Sequence, residues 1–241
     1  MGRRAPTGPV AVGLDLAGSP RRRTGFCAMG PDLVGRTRVL GDDREIRAAV
    51  EAAEPAIVAI DAPLALPRGR RSLETPGPPH LRACDRELLA LGIRFFPLTL
   101  GPMRLLTARG IALARTLRRA GFLVIEAYPG GAQDVLGLPR KGAGEERLRR
   151  ALIRFGFRGD VAERTITHDE LDAIACAYTG LEHLAGRSQV LGTPEEAELV
   201  LPRAPRERRA VATPRRLGAS GPGPATGRIA ATKGSRRTSP G

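Results

Sequence analysis

Tryptophan is absent from this 241-residue chain, and two tyrosines with six phenylalanines bring the aromatic share to only 3%. With so few rings, no aromatic-lined groove for a nucleic-acid strand can be read from the sequence. Lysine is nearly missing too: Lys141 and Lys233 stand alone among 39 basic residues. The remainder are arginines, beside abundant alanine, glycine and proline, a bias of GC-rich coding that weakens any argument from overall basicity. Three cysteines, Cys27, Cys84 and Cys176, lie far apart with no C-x-x-C pair and no histidine at ligand spacing. That excludes a disulfide scaffold and a zinc site, and predicts free thiols in a reducing cytoplasm. No apolar run approaches the roughly 18 residues of a membrane span. The short stretch after Arg3 and Arg4 is interrupted by Asp15, too soon for a signal-peptide core. A soluble, cytoplasmic protein is expected.

What charge there is sits unevenly. The formal net charge is +14, yet residues 1–202 hold 29 basic and 24 acidic groups, while residues 203–241 carry ten basic groups and a single glutamate. In that last segment 18 of 39 residues are Gly, Pro, Ser or Thr, and Val211, Leu217 and Ile229 are its only large aliphatics. Such a composition cannot build a core and predicts a disordered basic tail that would bind phosphate polymers by counterion release. One domain over 10–202, preceded by a flexible N-terminus over 1–9, accounts for the rest.

Three apolar runs end in a carboxylate: Val10 to Asp15, Ala56 to Asp61 and Phe122 to Glu126. Near-continuous apolar character over four to six residues reads as strands buried on both faces. If these strands are parallel, their acids meet at one sheet edge. Two further short strands, 24–29 and 34–40, follow the first at hairpin distance. Helices are predicted over 44–53, 80–91, 102–120 and 145–155, with a Pro-rich helical insertion at about 63–98. Thr167 and Glu170 form a capping box that opens a last helix, on which Asp169 and Asp172 share one flank. The expected architecture is α/β, a mixed five-stranded sheet flanked by helices in the element order of the ribonuclease H fold. In that fold Asp15, Asp61 and Asp169 or Asp172 could hold two Mg²⁺ or Mn²⁺ ions, which want oxygen ligands and can hydrolyse a phosphodiester. Arg82 and Arg86, four apart on the insertion helix, could clamp a substrate phosphate.

The segments Gly13 to Ser19, Ile60 to Pro67, Arg82 to Arg86, Ile125 to Gly130 and His168 to Ala173 resemble domain-of-unknown-function family 429, described as predicted nucleases with an RNase H fold. The resemblance spans about residues 10–202. The helix motif is also similar to the helix acids of RuvC-type resolvases, where a first-strand Asp, a middle-strand acid and two helix aspartates bind metal. The resemblance implies those roles for Asp15, Asp61, Asp169 and Asp172, with DNA or RNA as substrate.

Each piece also has a plainer reading. One Asp after an apolar strand is ordinary turn chemistry. Asp169 suits a helix N-terminus electrostatically. Glu126 either completes a metal shell as a further catalytic acid or holds the turn at Tyr128 to Gly130. Two other classes stay open: a sugar-kinase or actin-like ATPase, because Gly13 to Ser19 resembles its first phosphate loop, and a non-catalytic nucleic-acid-binding module. The ATPase architecture requires a second lobe with its own phosphate loop, which the sequence does not offer.

Overall fold

In a computed structural model, residues 8–204 are described. The flexible start expected over 1–9 and the disordered tail expected over 203–241 therefore lie almost wholly outside the described residues.

The sheet grows from its centre. Strand β1 (Ala11–Asp15) pairs antiparallel with β2 (Thr24–Met29), which pairs antiparallel with β3 (Val34–Leu40). Helix α1 (Asp43–Ala53), capped by the Asp42 carboxylate on the Arg44 and Glu45 amides, returns the chain to β4 (Ile57–Asp61), parallel to β1. After the insertion, which contains α2 (Ala83–Ala90), the long α3 (Gly101–Arg119) leads to β5 (Val124–Ala127), parallel to β4. These five strands lie in the order β3-β2-β1-β4-β5.

The expected five-stranded sheet is in fact eight-stranded. Beyond β3 lies the two-residue β6 (Arg158–Gly159), and beyond β5 lie β8 (Leu199–Pro202) and the edge strand β7 (Ser188–Leu191). The additions are short: β6 has two residues and β7 and β8 four each, too few to show a period. Helix α4 (Pro129–Leu136) also replaces a stretch read as a turn. Its Pro129 takes a first-turn position, where the missing N–H costs nothing, and Gly137 closes it at φ 67°.

Side-chain alternation divides the sheet into two faces. Val12, Leu14, Val58, Ile60 and Val124 pack with Ile46 and Val50 of α1 and Leu113 and Leu117 of α3. Ala11, Ile57, Ala59, Ile125 and Ala127 face the opposite way, into the core formed by α5 (Glu145–Phe155) and α7 (His168–Leu184), with the single-turn α6 (Asp160–Glu163) between them in the chain. Sequence spacing gave α7 one apolar side, whereas nearly every residue from Glu170 to Glu182 is buried. The helix lies on β1, β2 and β4 and is itself covered by α4 and α5. Such a sandwiched position buries the helix nearly all round, its buried Glu170 and Asp172 held by hydrogen bonds.

Candidate metal centre

Asp15 and Asp61 are register partners at the ends of adjacent parallel strands. Strand alternation places Asp15 on the face of Ala11 and Gly13, and Asp61 on the face of Ile57 and Ala59, so both acids belong to the α7 side. At the strand spacing of about 5 Å and an effective dielectric near 20, two such charges repel by roughly 3 kcal/mol.

Two glycines let α7 descend onto this edge. A Cβ at Gly13 would overlap the Ala173 carbonyl and the Ala177 amide, and one at Gly25 would overlap the Asp169 carbonyl. Gly25 is the register partner of Asp15, so the start of α7 sits directly over the neighbouring strand. One turn further, Asp172 and Cys176 face the acidic strand ends. Burial pushes the Cys176 thiol far up, and the negative charges of Asp61, Asp15 and Asp172 push it further. Asp61 and Asp172 line one cavity, with Asp15 the register partner of Asp61.

Asp172 is held in place: Gln133 Nε2 donates to its Oδ1 at 2.7 Å, and His168 Nδ1 lies 3.3 Å from its Oδ2. Asp169 is half-buried over β2. Among the described residues no three or more His, Cys, Asp or Glu side chains are arranged to hold one ion. The donor set nevertheless suits a hard divalent cation, since Asp15 and Asp61 offer only carboxylate oxygens from neighbouring strands.

Glu126 lines the same cavity as Asp61 and Asp172 but comes from the opposite face of the sheet. Its strand position shares the face of Val124, away from α7, and it is buried. Both Glu126 oxygens accept from Arg82, at 2.7 Å each, and one also accepts from the Leu64 amide at 2.8 Å. Arg82 in turn grips Asp85 through Nε and Nη2. Burial raises the Glu126 carboxyl above its usual range even though Arg82 pulls it down. This network ties β5 to the insertion.

Arg82 and Arg86 do not form one face. The helix begins at Ala83, Arg82 is its 2%-exposed N-cap, and Arg86 is exposed and donates to the Leu81 carbonyl. Arg70 staples the insertion loop by donating to the Gly77 and Pro79 carbonyls at 2.8 and 3.0 Å. The exposed arginines nearest in sequence to Asp15 are Arg21, Arg22 and Arg23, in the β1–β2 loop. Buried Arg109 of α3 anchors that loop through the Ala17 and Ser19 carbonyls while gripping Asp43 of α1 at 2.7 Å.

Sequence reasoning missed Gln133, Arg109 and a cavity of about 360 Å³ beside Asp61 and Asp172. The signal for Gln133 was available in the proline-start, glycine-stop pattern of α4. Arg109 and the cavity depend on tertiary contacts with no local signature.

Residues 13–197 match the family described as "Protein of unknown function (DUF429)". The chain belongs to this family. No curated protein matches the chain. Among solved structures, the Thermus thermophilus RuvC structure is similar at 12% identity and a TM-score of 0.42, covering 73% of this chain and 96% of that one. In this DUF429 chain the strand-end acids, the α7 acids and the Arg82 network all fall inside the matched span.

Proposed function

We propose that this DUF429 protein is a divalent-metal-dependent nuclease of RNase H-like architecture, hydrolysing phosphodiester bonds of DNA or RNA. The observation that carries the reading is the side-by-side placement of Asp15 and Asp61, with Asp61 and Asp172 of α7 lining one cavity. Such a concentration of negative charge at a sheet edge is costly unless a cation shares it. Asp15 and Asp61 would hold Mg²⁺ or Mn²⁺, with Asp172 or Asp169 as further ligands. A bound ion supplies Lewis-acid polarisation of a phosphoryl oxygen and lowers the pKa of water.

The chain's own residues do the rest. Gln133 fixes the Asp172 carboxylate, and His168 Nδ1 lies 3.3 Å from its other oxygen. Arg21 to Arg23, held by the Arg109 anchor, offer guanidinium groups to the phosphates of a strand reaching Asp15. Glu126 and Arg82 act as the brace beneath the site rather than as acid and clamp. The basic segment from 203 onward adds nonspecific affinity. An ATPase of the two-lobed kind is disfavoured because the strands of the described residues make a single sheet.

The test is cleavage of labelled single-stranded, duplex and branched DNA and RNA with Mn²⁺, Mg²⁺ or EDTA. The reading expects metal-dependent cleavage of at least one substrate, lost by at least 100-fold in turnover in Asp61→Asn with binding retained. Equal cleavage by wild type and Asp61→Asn would contradict it.

A further inference from the structure

The cavity beside the acids has a composition at odds with the rest of the chain. Phe95, Phe96 and Tyr128 line it, three of only eight aromatic residues in the sequence. Met103 and Leu106 add apolar lining, and Asp61, Asp172 and the Arg82–Glu126 pair line it as well. Phe96 is 69% exposed beside the cavity, so the face of its ring is open to a flat ligand entering there. A volume of about 360 Å³ is at the small end of ligand pockets, enough for one heterocycle with its sugar and far too small for a duplex. The exposed arginines Arg21, Arg22 and Arg23 of the β1–β2 loop favour a polyanion over an apolar peptide as the molecule that delivers that heterocycle.

We infer that this cavity takes one unpaired nucleobase, stacked on Phe96 and enclosed by Met103 and Leu106, so that the adjoining phosphodiester lies at Asp15 and Asp61. The inference deepens the nuclease reading and rests on it for the identity of the polymer. It names the substrate class: single-stranded nucleic acid, or a duplex in which a base is extruded. Stacking on an aromatic ring suits every base, so the cavity selects for an unpaired base rather than for a sequence.

The test uses a short single strand carrying one 2-aminopurine, titrated in EDTA with the full chain so that nothing is cut. The same strand annealed in a blunt duplex and an abasic strand are run in parallel. Wild type and Asp61→Asn should both change the 2-aminopurine fluorescence on the single strand and bind the abasic strand and the duplex more weakly. Phe96→Ala should weaken single-strand binding at least about fivefold, the low end of one lost base stack, with an unchanged melting temperature because the ring is exposed. Met103→Trp, which fills the cavity, should abolish the fluorescence change while leaving salt-sensitive binding. Equal binding of abasic, duplex and single strands, or variants indistinguishable from wild type, would overturn the inference. A base-dependent signal without metal-dependent cleavage of any substrate would support the cavity while contradicting the nuclease reading, so the two fail separately.

Discussion

At the scale of single residues, the carboxylates fall into two kinds that sequence position alone does not separate. Asp15 and Asp61 end their strands on the α7 side, whereas Glu126, at the end of an equally apolar strand, lies on the other side and is consumed by Arg82. A shift of one residue along a strand reverses the face, so three runs that look alike send two acids towards α7 and leave the third, on the opposite face, gripped by Arg82 where it lines the same cavity. Glu126→Ala should therefore behave as a structural lesion. It leaves the Arg82 charge buried with only Asp85 opposite it, which should cost about 3–5 kcal/mol of unfolding free energy from denaturant curves. A catalytic acid without this role would leave stability near wild type.

Glu170 gives a pH signature at the same scale. Burial works to raise its pKa, but Arg164, the Thr167 amide and the Thr37 hydroxyl together hold the carboxyl below its ordinary range. A folded-state value below the unfolded value of about 4.3 means its contribution is complete above that pH and is lost as pH falls through the folded value. Glu170→Gln should therefore lose stability relative to wild type at pH 7, and the gap should narrow as denaturation is repeated towards pH 3. A gap that stayed constant with pH would contradict the assignment.

At the scale of elements, the contact that assembles the site is α7 on β1. Gly13 has no positive φ to explain it; the close approach of the helix backbone does. Gly13→Ala should cost about 3 kcal/mol, the upper end for overpacking. It should also displace Asp172 from Asp61, so metal response should fall more than stability alone accounts for, as a melting curve with and without Mn²⁺ would read. The strands with acidic ends were legible because continuous apolar runs mark burial on both faces, and the start of α7 because Thr167 and Glu170 satisfy each other's backbone amides. The insertion helix was placed too early, since Arg82 turns inward as a cap instead of continuing the helical spacing. Helix α4 was hidden by Pro129-Gly130-Gly131, residues that ordinarily break helices but here start one. The outer strands β6, β7 and β8 are defined by pairing partners distant in sequence, which no local pattern carries.

At the scale of the whole molecule, charge and chemistry are expected to separate. Residues 1–202 are nearly balanced and residues 203–241 are strongly basic, so removing 205–241 should weaken nucleic-acid binding and flatten its salt dependence while cleavage at saturating substrate survives. An unchanged salt slope would assign the phosphate contacts to the β1–β2 loop instead. Among the described residues no helix is long and apolar enough to cross a membrane.

The most direct measurement is the melting temperature of the full chain titrated with Mg²⁺ or Mn²⁺, in wild type and in Asp15→Asn. An ion that binds the native acids adds about 2.7 kcal/mol at 100 times its Kd, roughly 5 to 10 °C for a chain of this size. The account predicts that rise in wild type and its loss in Asp15→Asn. A melting temperature that does not move with metal, or that moves equally in both proteins, would contradict the claim that Asp15 and Asp61 share a divalent ion.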